Sequence, residues 1–171
     1  MKIVLRVLGL ITVVVTLLIC SLGAIRNFAD AEDVGALESE MAASKAQIDA
    51  MMKESEQMGA SSPETLAAVK EAQDAMNSIP SKSTFTAAGS ILAVLALISI
   101  VCAIFLFVYN PKVATLLLVL TVILSITVIV ISPSIEGGIT SGATNRALAI
   151  AGAIPAFLTA LFTFLANRKT A

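Results

Sequence analysis

The sequence predicts an all-α integral membrane protein with four transmembrane helices and an extracytoplasmic antiparallel helical hairpin between the first and the second. Hydrophobic residues make up 57% of the 171-residue chain. They include four apolar runs, each long enough to cross a bilayer, which takes roughly 20 residues. Of the 12 acidic residues, all but Glu136 lie between Asp30 and Asp74. A soluble fold of this length could not bury so much apolar surface in one core.

The apolar runs divide the chain into eight segments. Residues 7–25, 85–109, 113–135 and 147–166 contain no charged side chain. We therefore predict a first transmembrane helix with a short cytoplasmic N-terminus (1–25), the hairpin (26–84), a second helix (85–109), a cytoplasmic turn (110–112), a third helix (113–132), a flexible outer loop (133–146), a fourth helix (147–166) and a cytoplasmic tail (167–171). In the turn, Asn110 is expected to cap the third helix and Pro111 to begin it.

The positions of the basic residues predict the orientation. If the N-terminus is cytoplasmic, the inner segments contain five basic residues and no acid: Lys2, Arg6, Lys112, Arg168 and Lys169. Basic residues near short cytoplasmic segments determine topology, whereas acidic residues contribute little. Both termini are therefore expected in the cytoplasm, with the hairpin on the opposite side.

The first apolar run also has features of a signal peptide. Lys2 and Arg6 precede it, and the small residues Ser21 and Gly23 lie near a possible cleavage point. The run is long for a signal peptide and the helical pattern continues beyond it, which favours an uncleaved membrane anchor. A lipid-modified Cys20 is disfavoured, because Ile19 stands where a small residue is expected.

A repeating pattern in residues 34–58 predicts the first helix of the hairpin. Its positions alternate at spacings of three and four, which is the heptad repeat of a coiled coil. We call these eight positions the seam: Val34, Leu37, Met41, Ser44, Ile48, Met51, Ser55 and Met58. Gly59 is expected to end this helix, and Ser62 with Pro63 to begin a second one over about residues 63–76. The short link between them predicts an antiparallel pair.

Apolar residues of both helices form the candidate hairpin interface. They are Val34, Leu37, Met41, Ile48, Met51 and Met58 of the first helix and Leu66, Val69 and Met76 of the second. The first helix, running from about residue 29 to 58, would be roughly 45 Å long, but the second covers only about 20 Å. Part of the seam is then left without a partner from its own hairpin. Methionine side chains suit a surface that adapts to a partner.

The fourth apolar run contains small residues that predict close helix packing. Gly152, Ala156 and Ala160 are spaced four apart, which lets two helix backbones approach in lipid. Pro155 predicts a kink at the same place. We expect the partner to be a helix of the same chain, with a helix of a second copy as the alternative.

Hydroxyl and thiol side chains line two of the apolar runs. Thr12, Thr16 and Cys20 lie on one stripe, and Thr121, Ser125 and Ser132 on another. Such stripes are typical of hydrogen bonds between helices or to carbonyls of the same helix, although pore lining is an alternative. Cys20 and Cys102 are expected to lie too far apart along the bilayer normal for a disulfide.

The residue types disfavour an enzyme. The chain has no histidine, no cysteine pair and no glycine-rich phosphate loop. We therefore predict no catalytic, metal or cofactor-binding residues. Residues 26–83 contain eleven acidic and five basic residues, which gives a net charge of −6. Nucleic acid is thus not expected as a partner. The expected partners are the lipid bilayer and either a second copy or another membrane protein.

The layout, with a large first outer loop and a small second one, is similar to that of claudin-type and other tetraspan proteins. The outer segments lack the cysteines that mark those families and the tryptophan motif of claudins, so the similarity is limited to layout. Small multidrug exporters and rotary-ATPase proteolipids carry an intramembrane acid, which this chain lacks. The absence of outer cysteines and of Asn-x-Ser/Thr sites favours a bacterial inner membrane.

Three functions follow as hypotheses. The first is a non-enzymatic membrane subunit or scaffold that assembles through the hairpin and the small-residue helix faces. The second is an envelope sensor or regulator that acts through a partner, because the cytoplasmic segments are only a few residues long. The third is a pore or transporter, suggested by the hydroxyl stripes.

Overall fold

The structure, a computed structural model, describes residues 2–57, 71, 80–133 and 144–168. Within these residues it is all-helical and has no strand. Its four helices are α1 (Lys2–Gln57), α2 (Lys82–Phe105), α3 (Pro111–Ile131) and α4 (Asn145–Asn167). Each is long and apolar enough to cross a membrane, which confirms the prediction of four such helices.

The helix α1 is continuous over 56 residues. At 1.5 Å per residue it is about 84 Å long, far more than the roughly 30 Å apolar core of a bilayer. The sequence predicts a membrane helix that ends near Ile25 and a hairpin helix that begins near Ala29. The structure joins the two without a break, since residues 26–33 include neither proline nor glycine.

The helix α2 begins three residues and ends four residues before its predicted bounds of 85–109. Its last turn closes with hydrogen bonds from the backbone amides of Phe107 and Val108 to the carbonyl oxygen of Ile104. Asn110 is extended, as expected of a residue before proline. Its side chain accepts a hydrogen bond from the amide of Val113, and Pro111 begins α3, as predicted from the sequence.

The four helices form a bundle in which α2 and α4 each contact all three other helices. The main core joins α1, α2, α3 and α4 through Cys20, Ala24, Leu92, Leu95, Val128, Ala149 and Ala156. Outward-facing apolar side chains cover the helices, and Ile3, Leu22, Leu116 and Val130 are each more than 60% exposed. An apolar surface this extensive is unfavourable in water and favourable in lipid.

Candidate interaction surface on the arm of α1

At the end of the bundle from which α1 extends, polar side chains attach the start of α4 to α1. Asn145 donates from Nδ2 to Oδ2 of Asp30 at 2.6 Å and approaches Oδ1 of Asn27 at 3.4 Å. Asn27 is fully buried and donates to the carbonyl oxygen of Gly23. Arg26 lies 3.8 Å from the same Asp30 carboxylate oxygen. The start of α4 therefore lies beside Asp30, and the partial positive charge of a helix N-terminus stabilises this carboxylate.

The start of α2 contacts α1 closer to the C-terminus of α1 than the start of α4 does. Ala31 and Val34 are buried against Phe85. The backbone amide of Lys82, the first residue of α2, donates to Oε1 of Glu38 at 2.9 Å. This bond satisfies an amide that the side chain of the N-cap residue, Ser81, leaves open. Thus α2 begins beside Glu38, eight residues or about 12 Å further along α1 than α4 does.

The remainder of α1 extends beyond both neighbouring helices. We call residues 31–57 the arm. Its part beyond Glu38 is about 28 Å long at 1.5 Å per residue. Every side chain described in this part is exposed except that of Met41, which is partly buried. Relative to the other described residues, the arm is therefore a helical projection whose base is packed against α2.

The structure places the predicted seam residues in different surroundings. Val34 is buried at the base of the arm, whereas Leu37 is 48% exposed. Met41 is partly buried, and Ser44 is exposed with its hydroxyl donating to the carbonyl oxygen of Glu40. The other predicted interface positions lie outside the described residues or side chains: Ile48, Met51, Met58, Leu66, Val69 and Met76.

The seam continues a face of α1 that is covered inside the bundle. Spacings of four and three also connect Thr16, Cys20, Gly23, Asn27, Asp30 and Val34. Below Val34 this face contacts α4: Thr16 Oγ1 lies 3.4 Å from Thr159 Oγ1, and Asn145 bonds Asp30. This heptad face thus packs mainly on α4 up to Asp30, Val34 packs on Phe85 of α2, and the face continues along the arm beyond Val34.

The three small residues singled out on α4, Gly152, Ala156 and Ala160, are buried. A Cβ atom built on Gly152 would lie 2.9 Å from Sγ of Cys20, so this glycine faces α1. Ala156 belongs to the main core, and Ala160 packs in a cluster with Ile98, Cys102 and Leu117 of α2 and α3. These positions therefore face different helices of the same chain.

A second polar cluster closes the opposite end of the bundle. Asn167 donates from Nδ2 to the carbonyl oxygens of Phe105 (2.7 Å) and Thr163 (3.0 Å), and its Oδ1 accepts from the amide of Asn110 (2.6 Å). Arg6 donates from Nε to the carbonyl oxygen of Leu106 at 3.0 Å. Sequence reasoning missed this cluster and the one around Asp30, although each consists of polar side chains at the limit of an apolar run.

Most hydroxyl groups in the bundle bond within their own helix. Thr12, Thr16 and Thr121 donate to carbonyl oxygens three or four residues earlier, as the sequence predicts. Ser125 Oγ and Ser132 Oγ are buried and have no partner among the described residues. Both cysteines are free and buried. In the described part of the chain, no group of three or more acidic, cysteine or histidine residues is arranged to hold a metal ion.

No protein-family model matches this chain, and comparisons with curated proteins and with solved structures give no significant match.

Proposed function

We propose that this chain is a non-enzymatic membrane subunit or scaffold that assembles through its arm, either as a homo-oligomer or with a larger membrane partner. The observation that carries the proposal is the exposed Leu37, on a heptad seam that projects from an apolar four-helix bundle. A large apolar side chain at a heptad position is suited to packing between helices. Ala31 and Val34 pack on Phe85, and the amide of Lys82 bonds Glu38, so the base of the arm is held on α2.

Further parts of the proposal rest on the sequence. The return helix predicted over residues 63–76 would pair with the outer part of the seam in an antiparallel hairpin. It is too short to reach the positions nearest the membrane, which include Leu37. The charge distribution supports cytoplasmic termini and an arm on the opposite side, and the cysteine usage supports a bacterial inner membrane.

The orientation gives a testable prediction. In a variant with Cys20 and Cys102 replaced by alanine, Ala46→Cys is expected to react with a membrane-impermeant maleimide added outside intact cells, because Ala46 is an exposed residue of the arm. Lys112→Cys, in the inner turn, is expected to react only after the membrane is permeabilised. The reverse labelling pattern would show that the chain is inserted the other way.

Assembly through the seam gives a second prediction. Single cysteines at Leu37 and Ser44, both exposed seam positions, are expected to form crosslinked adducts in membranes with a second copy or another protein. Cysteines at Ser39 and Ala46, exposed on the opposite face of the same helix, are the matched controls and should crosslink far less. The measurement is the adduct yield on a denaturing gel. A monomer at every seam position would exclude the proposal.

A sensor or regulator is the second candidate. One continuous helix, Lys2–Gln57, connects the inner end of the bundle to the tip of the arm, so a displacement of the arm could be transmitted to the opposite side. A pore receives less support, because Leu92, Leu95 and Val128 fill the centre of the bundle and the threonine hydroxyls there are already bonded.

A further inference from the structure

The part of the seam around Leu37 and Met41 lies beyond the start of α4, and α4 limits what can bind there. The heptad face that contains Leu37 packs on α4 from Thr16 to Asp30 and on Phe85 of α2 at Val34. Because α4 begins at Asn145, beside Asp30, its helical residues do not cover the seam beyond Asp30. A helix placed over the next heptad, around Leu37 and Met41, would lie above the end of α4 and extend the same packing interface along α1.

A second copy of this chain does not fit that position. Two copies with the same orientation in one membrane would have parallel arms. Because α1 is continuous, pairing the two seams side by side would place the α1 of the second copy in line with α4, at the usual helix separation of 8–10 Å. That space is already filled by α4 itself.

Acidic residues flank one side of this part of the seam. Residues 28–44 contain Asp30, Glu32, Asp33, Glu38 and Glu40 and no basic residue, and Lys45 lies on the opposite flank. Asp30 and Glu38 are engaged with Asn145 and with the amide of Lys82. Asp33 and Glu40 are exposed, each directly precedes a seam residue, and they lie seven residues apart. They therefore flank the seam on one side, at the position where charged residues select coiled-coil partners.

We propose that the part of the seam around Leu37 and Met41 binds a helix of a different membrane protein, with an apolar stripe flanked by lysine or arginine. The apolar stripe packs on Leu37, and the basic side chains face Asp33 and Glu40. This inference rests on the proposed assembly through the arm and specifies the partner in that assembly. Continuity with the α1–α4 interface positions the helix, and the acidic flank sets the charge that it must carry.

The test is photo-crosslinking from single cysteines in native membranes, with Cys20 and Cys102 replaced by alanine. Benzophenone maleimide is attached at Leu37→Cys or, as the matched control, at Ser39→Cys on the opposite face. We expect an adduct with a different protein from position 37 only. Mass spectrometry of that adduct is expected to locate the linked residue in a helical segment of net positive charge.

Charge reversal separates a specific contact from general attraction to an acidic arm. Glu40→Lys is expected to lower the adduct yield from position 37 by roughly threefold or more, because a flanking attraction becomes a repulsion. Glu32→Lys changes the net charge equally at an exposed position away from the seam and is expected to have little effect. Equal losses from both variants would overturn the proposal.

Two further outcomes distinguish this inference from the proposed function. A crosslinked dimer of this chain from Leu37→Cys would overturn the inference and leave assembly through the arm intact. The absence of any adduct from both Leu37→Cys and Ser44→Cys would exclude both. An adduct whose linked segment is neutral or acidic would keep the heterologous assembly and reject the basic partner.

Discussion

Replacing Gly152 by leucine is expected to lower the free energy of unfolding by about 3 kcal/mol, at the upper end of the usual cost of overpacking a core. Even a Cβ atom at this position would lie 2.9 Å from Sγ of Cys20, and Cys20 is fully buried. The clash lies at the α1–α4 interface, so α1 and α4 must separate to accept the side chain. Unfolding in detergent, followed by circular dichroism, measures the effect.

A double-mutant cycle tests the same contact with smaller changes. Gly152→Ala alone is expected to destabilise the chain, whereas Gly152→Ala in a Cys20→Ala background is expected to be neutral or stabilising. Without the sulfur, the next nearest atoms, Leu92 Cδ2 and Ile19 Cγ2, lie at 3.6 and 3.7 Å, and alanine favours a helix over glycine by about 1 kcal/mol. Ala151→Leu, which faces outward, is the matched control and should change little. An equal effect of Gly152→Ala in both backgrounds would mean that Cys20 is not the contact that excludes a side chain.

The sequence predicts those features of the fold that depend on neighbours along the chain. Apolar runs give the four helices, because the composition of about 20 consecutive residues decides whether a helix is stable in lipid. The start of α3 follows from Asn110 and Pro111, whose effects are local. The continuity of α1 is predicted only in part: the helical pattern continues beyond the first apolar run, but the change from apolar to charged composition near Arg26 resembles a boundary between two helices.

The polar clusters at the two ends of the bundle depend on residues far apart in sequence. Asn145 is separated from Asp30 by 115 positions, and Asn167 from Phe105 by 62. No spacing rule connects such pairs, so a single sequence offers only the general signal of asparagine at the end of an apolar run. The same limit applies to Gly152, whose spacing with Ala156 and Ala160 predicts close packing but does not identify Cys20 as its neighbour.

Replacing Asn167 by leucine is expected to lower the free energy of unfolding by about 2–3 kcal/mol. The substitution removes three hydrogen bonds, which are worth about 0.6 and at most about 1.7 kcal/mol each between membrane helices. It also leaves the amide of Asn110 and the carbonyl oxygen of Phe105 without this partner, which adds a desolvation cost. Because Asn110 caps α3, the turn between α2 and α3 should lose order. Hydrogen exchange of residues 106–110 is therefore expected to accelerate.

Thr163→Val is the matched control for this prediction. It lies one turn earlier on the same face of α4 and removes the hydrogen bonds to the carbonyl oxygens of Cys102 and Thr159, but it touches no part of the turn. Its cost is expected to stay below about 1 kcal/mol, with unchanged exchange at residues 106–110. If Asn167→Leu and Thr163→Val gave the same exchange rates in the turn, Asn167 would not be the residue that orders it.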